Sequence, residues 1–273
     1  MDNSTLKQLH DIELAILKSL DTFCCDNNIQ YSIISGTMLG AIRHAGFIPW
    51  DDDIDVAMTR DNYKKFCDSI EKNPIDGLYF QNYEKDLFCG VNHGKLRKDN
   101  TLFLQKGEDI NVGHHGIWID IFPFDKLPCN LNKRKKIESI GTKIILLTRA
   151  NVVKSDDSLK KIITRCLIRL IPEKLRHKKL VKYTRILEKN NELLVDDYCW
   201  VCMSDLKSIY KVRVSKECCL KYTELEFEGY KFSSFVGYDE FLKVLYGDYM
   251  QLPPKEDRIW KHKPEHIEFE YVK

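Results

Sequence analysis

The run Trp50-Asp51-Asp52-Asp53-Ile54-Asp55-Val56 places four carboxylates within five positions and constrains this chain more than any other segment. Like charges so close repel one another, and a bound cation relieves the repulsion. Asp53 and Asp55 are two apart, so a strand sets both on one face, while Ile54 and Val56 turn the other way into a core. Two carboxylates on one strand face are half of a magnesium site, because magnesium wants oxygens and keeps waters and substrate phosphates for the rest. A solvated acidic turn is the alternative, but a turn has no need of the alternation with Ile54 and Val56.

A third carboxylate from a neighbouring strand completes such a site, and Asp120 fits. It sits in Ile117-Trp118-Ile119-Asp120-Ile121-Phe122 among strand-forming apolar residues. A buried aspartate in such a run is costly unless it is paired, hydrogen-bonded or metal-bound. An edge position or a capping role is the plainer reading.

The flanking pattern is mixed. Leu6, Leu9, Leu14, Leu17 and Leu20 predict a helix over 5–26, with Ser4 as its cap. A strand is expected at Gln30 to Ile34, a short helix from the Ser35-Gly36-Thr37 turn to Arg43, and a strand at Ile54 to Met58. A helix over Asp61 to Ile70 and a strand from Gly116 to Phe122, ended by Pro123, complete the first part. Between Lys133 and Lys189 the chain reads as basic helix, with 18 Lys or Arg against 5 Asp or Glu, broken at Pro172. A last helix is expected from Gly237 to Tyr246. The fold class is therefore α+β (mixed α/β). Residues 1–130 are expected to form a catalytic core on a small mixed sheet. Residues 131–273 form a helical and mixed region packed on it, contributing to the acceptor site.

Gly36-Thr37 follows a strand and opens a helix, a junction that points backbone N–H groups at an anion. Thr37 adds a hydroxyl. No P-loop or dinucleotide fingerprint accompanies it. Arg43 suits a phosphate, since its fork matches two oxygens, and equally suits a nearby aspartate. Lys95 and Arg97 share a strand face and fit either a clamp on a phosphoryl group or a solvated face. His114-His115 read as ordinary loop residues as readily as ligands.

Ten cysteines, two pairs of them adjacent, do not form a disulfide framework. Cys199 and Cys202 have the spacing of half a zinc knuckle without a second half, so reduced thiols are expected. No signal peptide and no run of about 20 apolar residues is visible. A cytoplasmic protein is expected. Ile162, Ile163, Cys166, Leu167, Leu170 and Ile171 lie among Lys160, Lys161, Arg165 and Arg169. They form either an apolar face toward anionic lipid at the inner face of the membrane or a packed helix with a solvated basic side. The same basic residues suit nucleic acid, but that role has no use for a carboxylate trio, so no nucleic-acid partner is expected.

The segment from Gly36 to Val56 (Gly-Thr-Met-Leu-Gly-Ala-Ile-Arg-His-Ala-Gly-Phe-Ile-Pro-Trp-Asp-Asp-Asp-Ile-Asp-Val) resembles the LicD family. That family includes bacterial phosphocholine transferases and is related to the fukutin group. The resemblance returns at Gly116–Pro123 and Tyr246–Pro254. It implies a nucleotidyltransferase-like fold and a CDP-alcohol donor, foremost CDP-choline. It also implies a glycan or lipid-linked glycan acceptor. By the same resemblance Gly36 and Thr37 match the glycine turn that binds the donor, Asp53 and Asp55 match the paired metal carboxylates for Mg2+ or Mn2+, and Asp120 matches the third carboxylate. Asp51 and Asp52 belong to the motif and are expected to orient Arg43 or the loop. Transfer of a nucleoside monophosphate is the alternative reaction.

Overall fold

The computed structural model describes residues 2–86, 91–149, 159–203, 206–262 and 264–271. Cys89 and the side chains of Lys160 and Lys161 lie outside the described set. The chain divides into two compact units. One comprises Met1–Phe80, Lys95–Phe122 and Glu217–Lys273, and the other Gln81–Gly94 and Pro123–Lys216.

The first unit opens with α1 (Asn3–Asp26), two residues earlier than the leucine spacing predicts. Its cap is Asp2, whose carboxylate accepts from the Thr5 N–H at 2.8 Å, in place of Ser4. The buried face carries Leu6, Leu9, Glu13, Ile16, Leu17 and Leu20, so a glutamate stands in the middle of an apolar stripe. Strand β1 (Ser32–Ile33) leads directly into α2 (Ser35–His44). β2 (Asp55–Thr59) and α3 (Arg60–Lys72) follow, each within a residue or two of its expected bounds. β3 (Leu78–Gln81), β4 (Gly94–Lys98) and β6 (Trp118–Pro128) complete the central strands, in the order β1-β2-β6-β4-β3, while β5 (Leu102–Gln105) lies in a separate two-stranded sheet. Asp120 N–H donates to the Ile54 carbonyl at 2.9 Å, tying β6 to the residues just ahead of β2.

Pro123 does not end β6 as its type predicts. The strand runs on, and from Phe124 to Pro128 it pairs antiparallel with β7 (Tyr198–Cys202) in the second unit. Pro123 falls where the strand changes partners, a place that tolerates the missing N–H.

The second unit also holds α4 (Leu131–Thr148), α5 (Leu159–Arg169), α6 (Glu173–Leu193), α7 (Leu206–Lys211) and β8 (Arg213–Val214). Pro172 caps α6, so the expected break between basic helices is present. Ile137, Ile144, Leu180, Leu187, Val201 and Ile209 form its core. Asn191, buried at one turn of α6, donates to Asp125 at 2.7 Å and so satisfies that buried carboxylate.

Back in the first unit, β9 (Tyr222–Phe227) and β10 (Tyr230–Phe235) form a hairpin whose turn residues Glu228 and Gly229 both have positive φ, the requirement of a tight primed turn. α8 (Tyr238–Tyr246) begins one residue past its predicted start. β11 (Pro264–Glu268) returns to pair with β5. The nine described cysteines are free thiols, and no described helix is long and apolar enough to cross a membrane.

A candidate active site of buried carboxylates

The site is built at the mouth of β2, beside the first turn of α2. Ser35, at the junction between β1 and α2, takes φ 50°, a left-handed conformation that L residues rarely adopt. Gly36 comes next, and a Cβ there would lie 2.1 Å from Asp51 Oδ2. Glycine is therefore required so that the Asp51 carboxylate can rest on the helix start. Thr37 is buried, and its hydroxyl oxygen accepts from Asp55 N–H at 2.9 Å, fixing α2 to β2. The hydroxyl keeps its own proton to donate.

Asp53 and Asp55 flank Ile54, whose carbonyl is bonded to Asp120 on the adjoining strand. Burial, then the charge of Asp51, pushes the Asp53 carboxyl up to about 7 against the opposing Lys261 and His262. Burial, followed by Asp53 and Asp120, raises Asp55 well above the usual carboxylate range. These groups feel one another strongly, and a cation beside them would relieve the repulsion.

Asp120 is held on both sides. Lys95 Nζ donates to Oδ1 at 2.6 Å and Trp118 Nε1 to Oδ2 at 3.2 Å. Lys95 also lies over the Trp118 ring at 4.2 Å and Arg97 at 5.0 Å, while Arg97 donates to the Gly116 carbonyl at 2.9 Å. Both basic residues are buried, so the solvated-face reading of that strand does not hold. Trp118 supplies a ring over which both cationic heads sit, something that spacing alone cannot show.

Arg43 points elsewhere. Its guanidinium donates to the carbonyls of Tyr249 at 2.9 Å and Gln251 at 3.4 Å and to His44 at 3.0 Å. It anchors the loop after α8, and none of these bonds is to an aspartate. Asp51 and Asp52 grip a different part of that late segment. Lys261 Nζ lies 3.2 Å from Asp51 Oδ1, and the backbone N–H groups of Lys261 and His262 donate to Asp52 at 3.3 and 2.8 Å. His114 and His115 are occupied locally, by Asp99 and by backbone carbonyls of 109 and 112.

Three participants escaped the sequence reading. His262 Nδ1 lies 3.4 Å from Asp52 and 3.8 Å from Asp53, and among the described residues the donor atoms of Asp52, Asp53 and His262 converge within 4.8 Å. Burial opposes the imidazolium, yet the Asp52 hydrogen bond and the Asp53 charge outweigh it and raise His262 above its ordinary value. Lys261 is the second. Nothing in their own spacing marks either residue, since they lie more than 200 positions from the aspartates. Glu13 is the third, and it did carry a signal as the lone acid in the α1 stripe. It is 2% exposed, and among the described residues its Oε2 has no hydrogen-bond partner. Burial, then Asp53, Asp52, Asp51 and Asp120, raises its carboxyl well above the usual range.

A hard divalent cation fits this donor set. The carboxylate oxygens are desolvated, mutually repelling and, at Glu13, unsatisfied. Beside the aspartates in sequence, Trp50, Arg258 and Trp260 line a cavity of about 930 Å3.

Fold and site together define a mixed α/β protein with a carboxylate cluster at a strand–helix junction. The chain belongs to the LicD/FKTN/FKRP family, and residues 28–139 match that family's nucleotidyltransferase domain. Over an alignment of 285 residues covering both chains in full, it is 31% identical to the lipopolysaccharide cholinephosphotransferase LicD of Haemophilus influenzae. It is 45% identical over 142 residues to an uncharacterized protein of Rickettsia typhi, covering 44% of each chain.

Proposed function

We propose that this protein transfers phosphocholine from CDP-choline to a hydroxyl of a cell-envelope glycan, lipopolysaccharide or its lipid-linked precursor. The full-length likeness to the Haemophilus influenzae cholinephosphotransferase carries this reading. In the reaction the acceptor oxygen bonds to the phosphorus bearing choline. The bond from that phosphorus to the bridging oxygen of the diphosphate breaks, CMP leaves with the electron pair, and the acceptor proton passes to a carboxylate.

Asp53 and Asp55 are the residues that would hold Mg2+ or Mn2+, with which the site would neutralise charge on the diphosphate. Asp120 takes the acceptor proton, its two oxygens already oriented by Lys95 and Trp118. Lys95 and Arg97 bring positive charge to the same strand face, where it stabilises the leaving phosphate. The Gly36-Thr37 helix start receives donor phosphate oxygens. Arg43 supports the loop that ends in Lys261 and His262. Residues 131–273 contribute acceptor contacts. The cavity lined by Trp50 and Trp260 supports choline as the alcohol, because indole faces attract quaternary ammonium groups. The Arg258 guanidinium already sits 5.2 Å from the Trp50 ring centre.

The family's nucleotidyltransferase domain also favours a second reaction, transfer of CMP itself with loss of an alcohol phosphate. One assay separates the two. Purified protein with magnesium is given CDP-choline, CDP-ethanolamine, CDP-glycerol and CDP-ribitol, with and without envelope glycan. Glycan-dependent CMP release with choline phosphate left on the glycan is the expected result. Free choline phosphate with CMP on the acceptor establishes the other reaction, and silence from every donor overturns both.

A further inference from the structure

α5 has an apolar stripe on its outside. Ile163, Cys166, Leu167 and Leu170 recur at one-turn spacing, and all four are exposed, Ile163 at 58%, Leu167 at 61% and Leu170 at 79%. Leu170 continues the helical turn, its N–H bonded to the Cys166 carbonyl. Ile168, by contrast, packs on the unit's core. The helix thus has an inner apolar contact and a second apolar face that no described residue buries. The reading of these residues as the inner side of a packed helix fails for that face.

The next helix supplies charge. Lys178, Lys182, Arg185 and Lys189 follow one another at four-, three- and four-residue steps and are all exposed. They rim a groove of about 1000 Å3 whose wall includes Ile186 and Leu193. α5 and α6 are joined by residues 170–172 alone, so stripe and basic row belong to one element pair. The stretch Lys133–Lys189 holds 18 basic against 5 acidic residues.

We infer that this helix pair binds the surface of an anionic lipid bilayer. α5 lies in the interface plane with Ile163, Leu167 and Leu170 among the acyl chains, and the α6 row meets lipid phosphates. Charge complementarity singles out this occupant, since an apolar stripe followed in the chain by a dense cationic row suits an anionic, oily surface. A neutral protein partner would gain nothing from the lysines, and a free polyanion would gain nothing from the leucines. The inference goes beyond the proposed reaction and does not depend on it.

Flotation of the full chain with vesicles tests it without any donor substrate. The protein is expected to rise with mixed phosphatidylglycerol–phosphatidylcholine vesicles at low salt, to be partly released by high salt, and to stay behind with phosphatidylcholine alone. The double variant Leu167→Asp, Leu170→Asp should lose about a hundredfold in partitioning. Its melting transition should stay intact, because both side chains are exposed. Should that variant unfold, Lys182→Glu with Arg185→Glu decides the matter, with an expected loss of about tenfold. Absence of flotation with anionic vesicles, unchanged binding by a folded variant, or binding to a duplex oligonucleotide but not to vesicles would overturn the inference.

Discussion

The two units break the ordinary rule of burial in opposite directions. The first buries charge: Asp51, Asp52, Asp120, Glu13, Lys95 and Arg97 are all largely removed from water. The second leaves apolar side chains outside, with Leu167, Leu170 and Leu193 each more than half exposed. Either departure costs free energy in the isolated chain. A buried carboxylate cluster is relieved by a cation, and an exposed leucine stripe by an apolar phase. The proposed cation site and the proposed lipid-binding face are thus the positions where each unit is least comfortable.

The sharpest way to break that comparison is to remove one carboxylate. Asp53→Asn is expected to lower CMP release about a thousandfold or more, the scale of losing a preorganised electrostatic element, while the far-ultraviolet dichroism stays unchanged. Near-normal turnover in this variant would remove the first unit from the chemistry.

Gly36→Ala tests whether the helix start must be bare. The new Cβ would meet Asp51 Oδ2 at 2.1 Å, so the carboxylate must leave its place and its Lys261 partner. A loss of about 1–3 kcal/mol in stability is expected, with donor affinity falling too. Unchanged melting and KM would show that Asp51 moves freely.

A pH series sharpens the burial of charge. A carboxyl raised from its ordinary 3.8 to about 7, as at Asp53, binds its proton more tightly in the folded state. Its contribution to stability is complete below the unfolded value and is lost as pH rises through about 7. Metal-free protein should therefore melt higher at mildly acidic than at mildly alkaline pH. Added magnesium should narrow the gap, and Glu13→Gln should flatten the slope. A metal-free melting temperature that rises across this interval would contradict the picture.

The smallest effect belongs to the other unit's interior. Tyr83→Phe deletes a buried hydroxyl contact with Thr184 and should cost about 1–3 kcal/mol without altering CMP release per folded molecule. A matching loss of activity would mean that the second unit's core is coupled to the carboxylates.

The local parts of the candidate site are legible in the sequence. Period-two alternation around Asp53 and Asp55, the glycine at the start of α2 and an aspartate inside an apolar strand are local signals, and local geometry follows from them. The elements legible in the same way were α1 to α3, the basic helices broken at Pro172, and α8. The continuation of β6 through Pro123 was not legible, because whether a proline ends a strand depends on which partner needs its N–H.

The sequence by itself determined which residues alternate, which helices carry an apolar stripe, and that a carboxylate cluster of this density needs a counter-charge. Tertiary structure alone decided who answers it. Lys95 is seated on Asp120, Arg43 is bonded to the carbonyls of 249 and 251, and Lys261 and His262 arrive from the far end of the chain. Structure alone also decided that the α5 stripe faces outward. The physical reason is the same in both cases. Periodicity records how a residue is oriented on its own element, whereas partnership and burial depend on which other element comes to rest against it.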